Sequence, residues 1–236
     1  MGAVETEYHI PAPHMCANLK PRGNDDRTSV MSINLVGPDG AITFRDAPFA
    51  LCGNRGAIDD GEKVTTQYKG NDWIYCLTGA LRNPDEFMNG RTVTDLFFLD
   101  EATALSAGHR PCHQCNWQRA KDFESAWVAA KLGNADVDSI DHRLKEDRLT
   151  LERTKKTFTS AFEDLPIGTM IRLNGEPFLV ASDVVYPWNA LGYGIPRDVP
   201  LGEVEVLTPE STTLVMQQPT FVVSNEKLIM RWEATS

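Results

Sequence analysis

Apolar and polar residues alternate in three stretches of the first hundred positions. In "SVMSINLVGPDGAITFRDAPF" two apolar-rich runs flank Gly37-Pro38-Asp39-Gly40, which predicts a hairpin. "KVTTQYKGNDWIYCLTG" repeats the pattern around Gly70-Asn71-Asp72 and puts Cys76 on or just after a strand. "TVTDLFFLD" is a third strand candidate. The period then changes. "DEATALSAG" predicts a helix capped by Asp100, favoured at its first turn by Glu101 and stopped by Gly108. "NWQRAKDFESAWVAAKLG" carries Trp117, Phe123, Trp127 and Val128 at helical spacing, read as a core stripe, with Gly133 as the stop. A polar helix, charged on most faces, is expected from about Asp136 to Phe158. From Asp164 onward the texture is short β-rich runs broken by Gly and Pro, and "RLNGEPFLV" is a hairpin signal with Asn174-Gly175 at the turn. The expected fold is therefore α+β. An irregular arm occupies 1–30, a small mixed sheet with helices 31–135, a helical linker 136–163 and a small all-β module 164–236.

Composition narrows the class without naming a function. The chain has 236 residues, 42% hydrophobic and 24% charged, enough for a packed core without covalent staples. No run of about 18 apolar residues occurs, so no membrane-spanning helix is expected. "MGAVETEYHIPAPHMC" lacks the basic start and apolar block of a secretory signal, so the cytoplasm is the expected compartment. Gly2 and Thr6 fit a short myristoylation pattern, a weak signal. Five cysteines, an odd number, favour reduced thiols over a disulfide framework. The net charge of −10 argues against a general nucleic-acid coat. Residues 1–108 and 161–236 are acidic. Residues 109–160 carry a slight basic excess, which suits either an anionic partner or a solvated helix face.

The only stretch with pronounced chemistry is "LFFLDEATALSAGHRPCHQC". Cys112 and Cys115 stand Cys-x-x-Cys, close enough in a tight turn to reach one metal ion, and supply half of a tetrahedral site. A redox pair would open a helix after a strand. This pair follows a helix and a glycine stop, with Pro111 outside it, so the metal reading is preferred over a redox pair and over two unconnected thiols. Elsewhere, "ALCGNRGAIDDGE" lacks the Gly-Lys-Ser/Thr end of a phosphate loop and reads as a turn. Tyr186, Trp188 and Tyr193 form an aromatic cluster, more simply packing than base stacking. Thr208, Ser211 and Thr212 have no histidine near in sequence to make a hydrolase triad.

Ala102, Ala104, Leu105, Ala107, Gly108, Arg110, Pro111, Cys112 and Cys115, together with the upstream step Ile74-Tyr75-Cys76, resemble the Ada-type zinc-binding domain of bacterial DNA alkylation-repair proteins. The likeness covers about 73–115. Over most of its length the chain also resembles a family of bacterial Ada-like metal-binding proteins with no transferable activity, which bears on layout alone. The resemblance implies an Ada-like zinc-binding domain over 31–135, with Cys76, Cys112 and Cys115 as ligands. It also implies that Cys76 is a zinc-activated thiolate able to accept a methyl group from a nucleic-acid phosphate. On that reading Arg110 would hold the phosphate anion. The family's second cysteine falls at Ala80, so the fourth ligand is expected from His109 first, then Cys52, then His113, or from water in an open hydrolase-like site. Cys16 is read as incidental. The expectation is a zinc protein whose ion is structural in a binding module, with alkyl acceptance or zinc hydrolysis as alternatives.

Overall fold

The computed structural model describes residues 32–78 and 93–223. The arm over 1–30 with Cys16, the Ala80 position and the last residues of the 164–236 segment lie outside the described residues. The class is α+β, with two sheets and four α-helices among the described residues.

The first sheet is mixed. β1 (Ser32–Val36) and β2 (Ile42–Asp46) form the expected antiparallel hairpin. Its turn closes because Gly40 takes φ +83° and the Asp39 carboxylate accepts the Ala41 N–H at 3.0 Å. β3 (Leu51–Asn54), β4 (Ile74–Leu77), β5 (Leu96–Phe98) and the two-residue β6 (Arg110–Pro111) complete the order β2-β1-β5-β3-β4-β6. The β1–β5 and β4–β6 pairs are parallel and the others antiparallel. The hairpin expected around Gly70-Asn71-Asp72 does not form. β4 is satisfied on both edges by β3 and β6, and 55–73 is an irregular loop with one isolated bridge, Asp59 to Val64.

Strand alternation divides this sheet into two apolar faces. Cys52, Cys76 and Phe97 join Ile33, Leu35 and Cys112 in one cluster. Leu51, Tyr75, Leu96 and Phe98 face the other way, into the main core. There they meet α1 (Glu101–Ser106), α2 (Trp117–Ala129), α3 (Val137–Arg148) and α4 (Glu210–Met216). The same core includes Met170, Leu179 and Tyr193 of the second sheet. That sheet is antiparallel throughout, ordered β11-β10-β9-β8-β13-β7 with β12 against β10. Its strands are β7 (Phe158–Ala161), β8 (Met170–Leu173), β9 (Glu176–Val180), β10 (Val184–Asn189), β11 (Gly192–Tyr193), β12 (Arg197–Asp198) and β13 (Glu203–Val206). The Asn174-Gly175 turn joins β8 to β9 as expected, both residues at positive φ.

Three helical expectations change. The stripe on α2 that enters the core is Ala120, Phe123, Ala126 and Trp127, whereas Trp117 and Val128 are 58% and 60% exposed. α3 ends at Arg148 rather than near Phe158. Leu149 is already extended, and the Thr150 hydroxyl takes the Thr154 N–H into a local turn. α3 is not a solvated rod, since Ile140, Asp141, Leu144, Asp147 and Arg148 are buried. The C-terminal segment is not all-β. "ESTTLVM" forms α4 despite its β-branched residues, because Val215 and Met216 pack into the main core.

Candidate metal centre

Gly108 starts the construction. At φ +90° it ends α1, with its N–H on the Leu105 carbonyl and the His109 N–H on Ala104, and turns the chain back along β4. β6 then runs parallel to β4, and the Cys112 N–H bonds to the Tyr75 carbonyl at 3.0 Å. This ladder sets Cys112 beside Cys76. The Cys-x-x-Cys turn closes with Asn116 N–H to the Cys112 carbonyl at 3.0 Å and brings in Cys115 just before α2.

The three sulfurs lie within 4.8 Å of one another. Zinc at about 2.3 Å from each thiolate needs tetrahedral sulfurs about 3.8 Å apart, so the group would have to contract by about 1 Å at most. An all-thiolate set suits a soft ion and not magnesium or calcium. The protons are already unequally shared. Hydrogen bonds from the Cys115 and Cys76 thiols, joined by the backbone N–H groups of Cys115 and Gln114, hold Cys112 well below the ordinary thiol range. As donors to that sulfur, Cys76 and Cys115 are both raised above the ordinary thiol range. A divalent ion would take the place of those shared protons.

The other expected donors stand elsewhere. His109 is not in the group. Its Nε2 accepts from Arg55 Nε at 3.2 Å, and its ring packs against Phe98 and Trp73 with centroids 4.6 and 5.3 Å away. Burial first, then the nearby charges of Arg55 and Arg148, holds its imidazole well below the usual range, hence neutral. Cys52 is opposite Cys76 across the β3–β4 pair, its sulfur 3.9 Å from the Cys76 carbonyl oxygen, but it does not join the three. His113 turns away, Nε2 to Glu124 at 2.5 Å and Nδ1 to Arg110 at 3.4 Å.

Arg110 is not available as an anion holder. Its guanidinium makes two 2.7 Å bonds to Asp141, with side chains only 5% and 7% exposed. This pair fastens β6 to α3. Asp141 was not among the residues singled out by sequence, although a carboxylate flanked by Ile140 and Leu144 on a helix is a legible sign of a buried partner. In the aromatic cluster, Tyr193 donates to Asp100 at 2.7 Å and Trp188 to Thr103 at 3.1 Å, so their polar ends bind α1. No family model matches the chain, and no curated protein or solved structure matches it either.

Proposed function

We propose that this is a zinc-binding protein in which Cys76, Cys112 and Cys115 hold the ion, and that the ion is structural. The three-thiol group supports the reading. It joins a strand to a turn far along the chain, and ligand binding energy at such a place is folding energy. Three thiolates leave one position of the tetrahedron to a further donor. The Ada-like alternative gives Cys76 a methyl-accepting role. Cys76 is 2% exposed, less than Cys112 at 4% and less than half-buried Cys115. The arginine that would grip a phosphate is closed on Asp141. Both observations favour a structural ion.

Native mass spectrometry with metal quantification tests this on the full chain. One zinc per wild-type chain is expected, lost in Cys76→Ser and Cys112→Ser and kept in His109→Ala and Cys52→Ser. Chelation is expected to lower the melting temperature. A metal-free wild type, or full zinc occupancy in Cys112→Ser, would sink the reading. Methylation of Cys76 by a methyl phosphotriester with zinc retained would replace the structural role by the reactive one.

A further inference from the structure

A cluster of basic side chains is built around Trp73, which His109, just before β6, also packs against. Arg55 follows β3 and Arg148 ends α3, each 1% exposed. Both guanidinium carbons lie over the Trp73 ring, 3.9 and 4.0 Å from its centroid. The bonds they make go to neutral acceptors. Arg55 donates to His109 Nε2 and to the carbonyls of Gly40 and Gln67. Arg148 donates to the carbonyls of Gly108 and Asn71. Lys155 adds a third basic group, its Nζ on the Ser106 carbonyl. Among the described residues none of the three is within ion-pair distance of a carboxylate, and the nearby Asp141 is already closed on Arg110.

Among the described residues, Arg55 Nη2, Arg148 Nε and His109 Nδ1 in this cluster have no hydrogen-bond partner. The histidine proton must be on Nδ1, because Nε2 accepts from a guanidinium that can only donate. Buried donors without acceptors are costly, and buried charge without counter-charge more so. A water molecule would accept from these donors but add no charge, and the carboxylates that act on the cluster, Asp39, Asp72 and Asp141, do so from beyond ion-pair distance. An anion answers both. Three donors on three separate elements suit a polyatomic anion with several acceptor oxygens.

We propose that the Arg55–Trp73–Arg148 cluster is a binding site for a small inorganic oxyanion, phosphate or sulfate. Carbonyls carry part of each guanidinium and the oxyanion takes the remaining donors. The site does not depend on the zinc reading, since its residues are separate from the three cysteines.

Equilibrium dialysis of the zinc-quantified full chain against radiolabelled phosphate, with sulfate and chloride as competitors, tests it. About one phosphate per chain is expected, displaced by sulfate and not by chloride. Arg148→Met and, independently, Arg55→Lys should weaken binding by about tenfold or more. Arg172→Met, which removes a partner of Glu205 in the second sheet, should leave it unchanged. Circular dichroism establishes that each variant is folded, and Arg55→Lys preserves the charge if Arg148→Met does not fold. No stoichiometric binding at millimolar phosphate, displacement by chloride alone, or equal affinity in wild type and both folded variants would overturn the proposal.

Discussion

Asp141→Asn removes one charge from the most enclosed ion pair among the described residues, and the loss can be sized. Arg110 and Asp141 side chains are 5% and 7% exposed, so water does not replace the missing partner. The guanidinium loses its counter-charge and one of its two 2.7 Å acceptors: the amide oxygen still accepts one N–H, while the amide NH2 faces the other donor. Breaking such a pair from one side costs about 3–5 kcal/mol, because the remaining charge stays buried. Arg148 adds to this, since the Asp141 charge helps keep it protonated while Arg110 repels it. For a chain of this size the loss corresponds to about 6–20 °C in melting temperature. Urea denaturation followed by circular dichroism should show a lower midpoint at an unchanged slope. The double variant Arg110→Met/Asp141→Leu should recover most, not all, of the loss, because the Asp141 charge that acts on Arg148 from a distance is still gone. Since β6 carries Cys112 into place, zinc retention should weaken in the single variant. A loss below about 1 kcal/mol would mean the pair behaves as a solvated surface bridge, and the reasoning would be wrong.

Two further outcomes follow from the geometry. A Cβ at Gly53 would meet the Ile74 carbonyl oxygen at 2.2 Å and Phe98 at 2.9 Å, so Gly53→Ala should part β3 from β4 and lower both stability and zinc content; a variant as stable as wild type by urea titration would contradict the β3–β4 register. Burial first, then the charge of Arg55, lowers the Lys155 amine to about 7, so the folded chain binds fewer protons than the unfolded one above that pH. Stability from this group therefore rises as pH goes from about 7 toward the unfolded lysine range, and Lys155→Met should flatten the rise between about pH 7 and 9 in thermal melts. An unchanged pH slope would refute the buried placement of that amine.

Much was legible locally. The Asp39-Gly40 and Asn174-Gly175 turns, the Asp100 cap and the Gly108 stop are written in residues whose preferences act within a few positions, and all four appear where the pattern puts them. The Cys-x-x-Cys pair was equally plain. What could not be read was which distant residues meet. The partners of β4, the end of α3 and the helix at Glu210–Met216 depend on which edges and core positions remain open once the sheets are packed. The same holds at the site. Spacing alone put His109 next to the cysteines. The positive φ of Gly108 and the β6 pairing instead send its ring toward Arg55 and Trp73, while Cys112 continues to Cys76. Arg110 looked free for an anion until α3 brought Asp141 against it, and Arg55 and Arg148 were unremarked until burial left their donors unmatched. The turns, the caps and the two-cysteine half-site follow from short stretches of chain, because backbone preference and short-range reach decide them. The third sulfur, the counter-ions and the orphan donors arise in packing, because desolvation and pairing depend on neighbours far away along the chain.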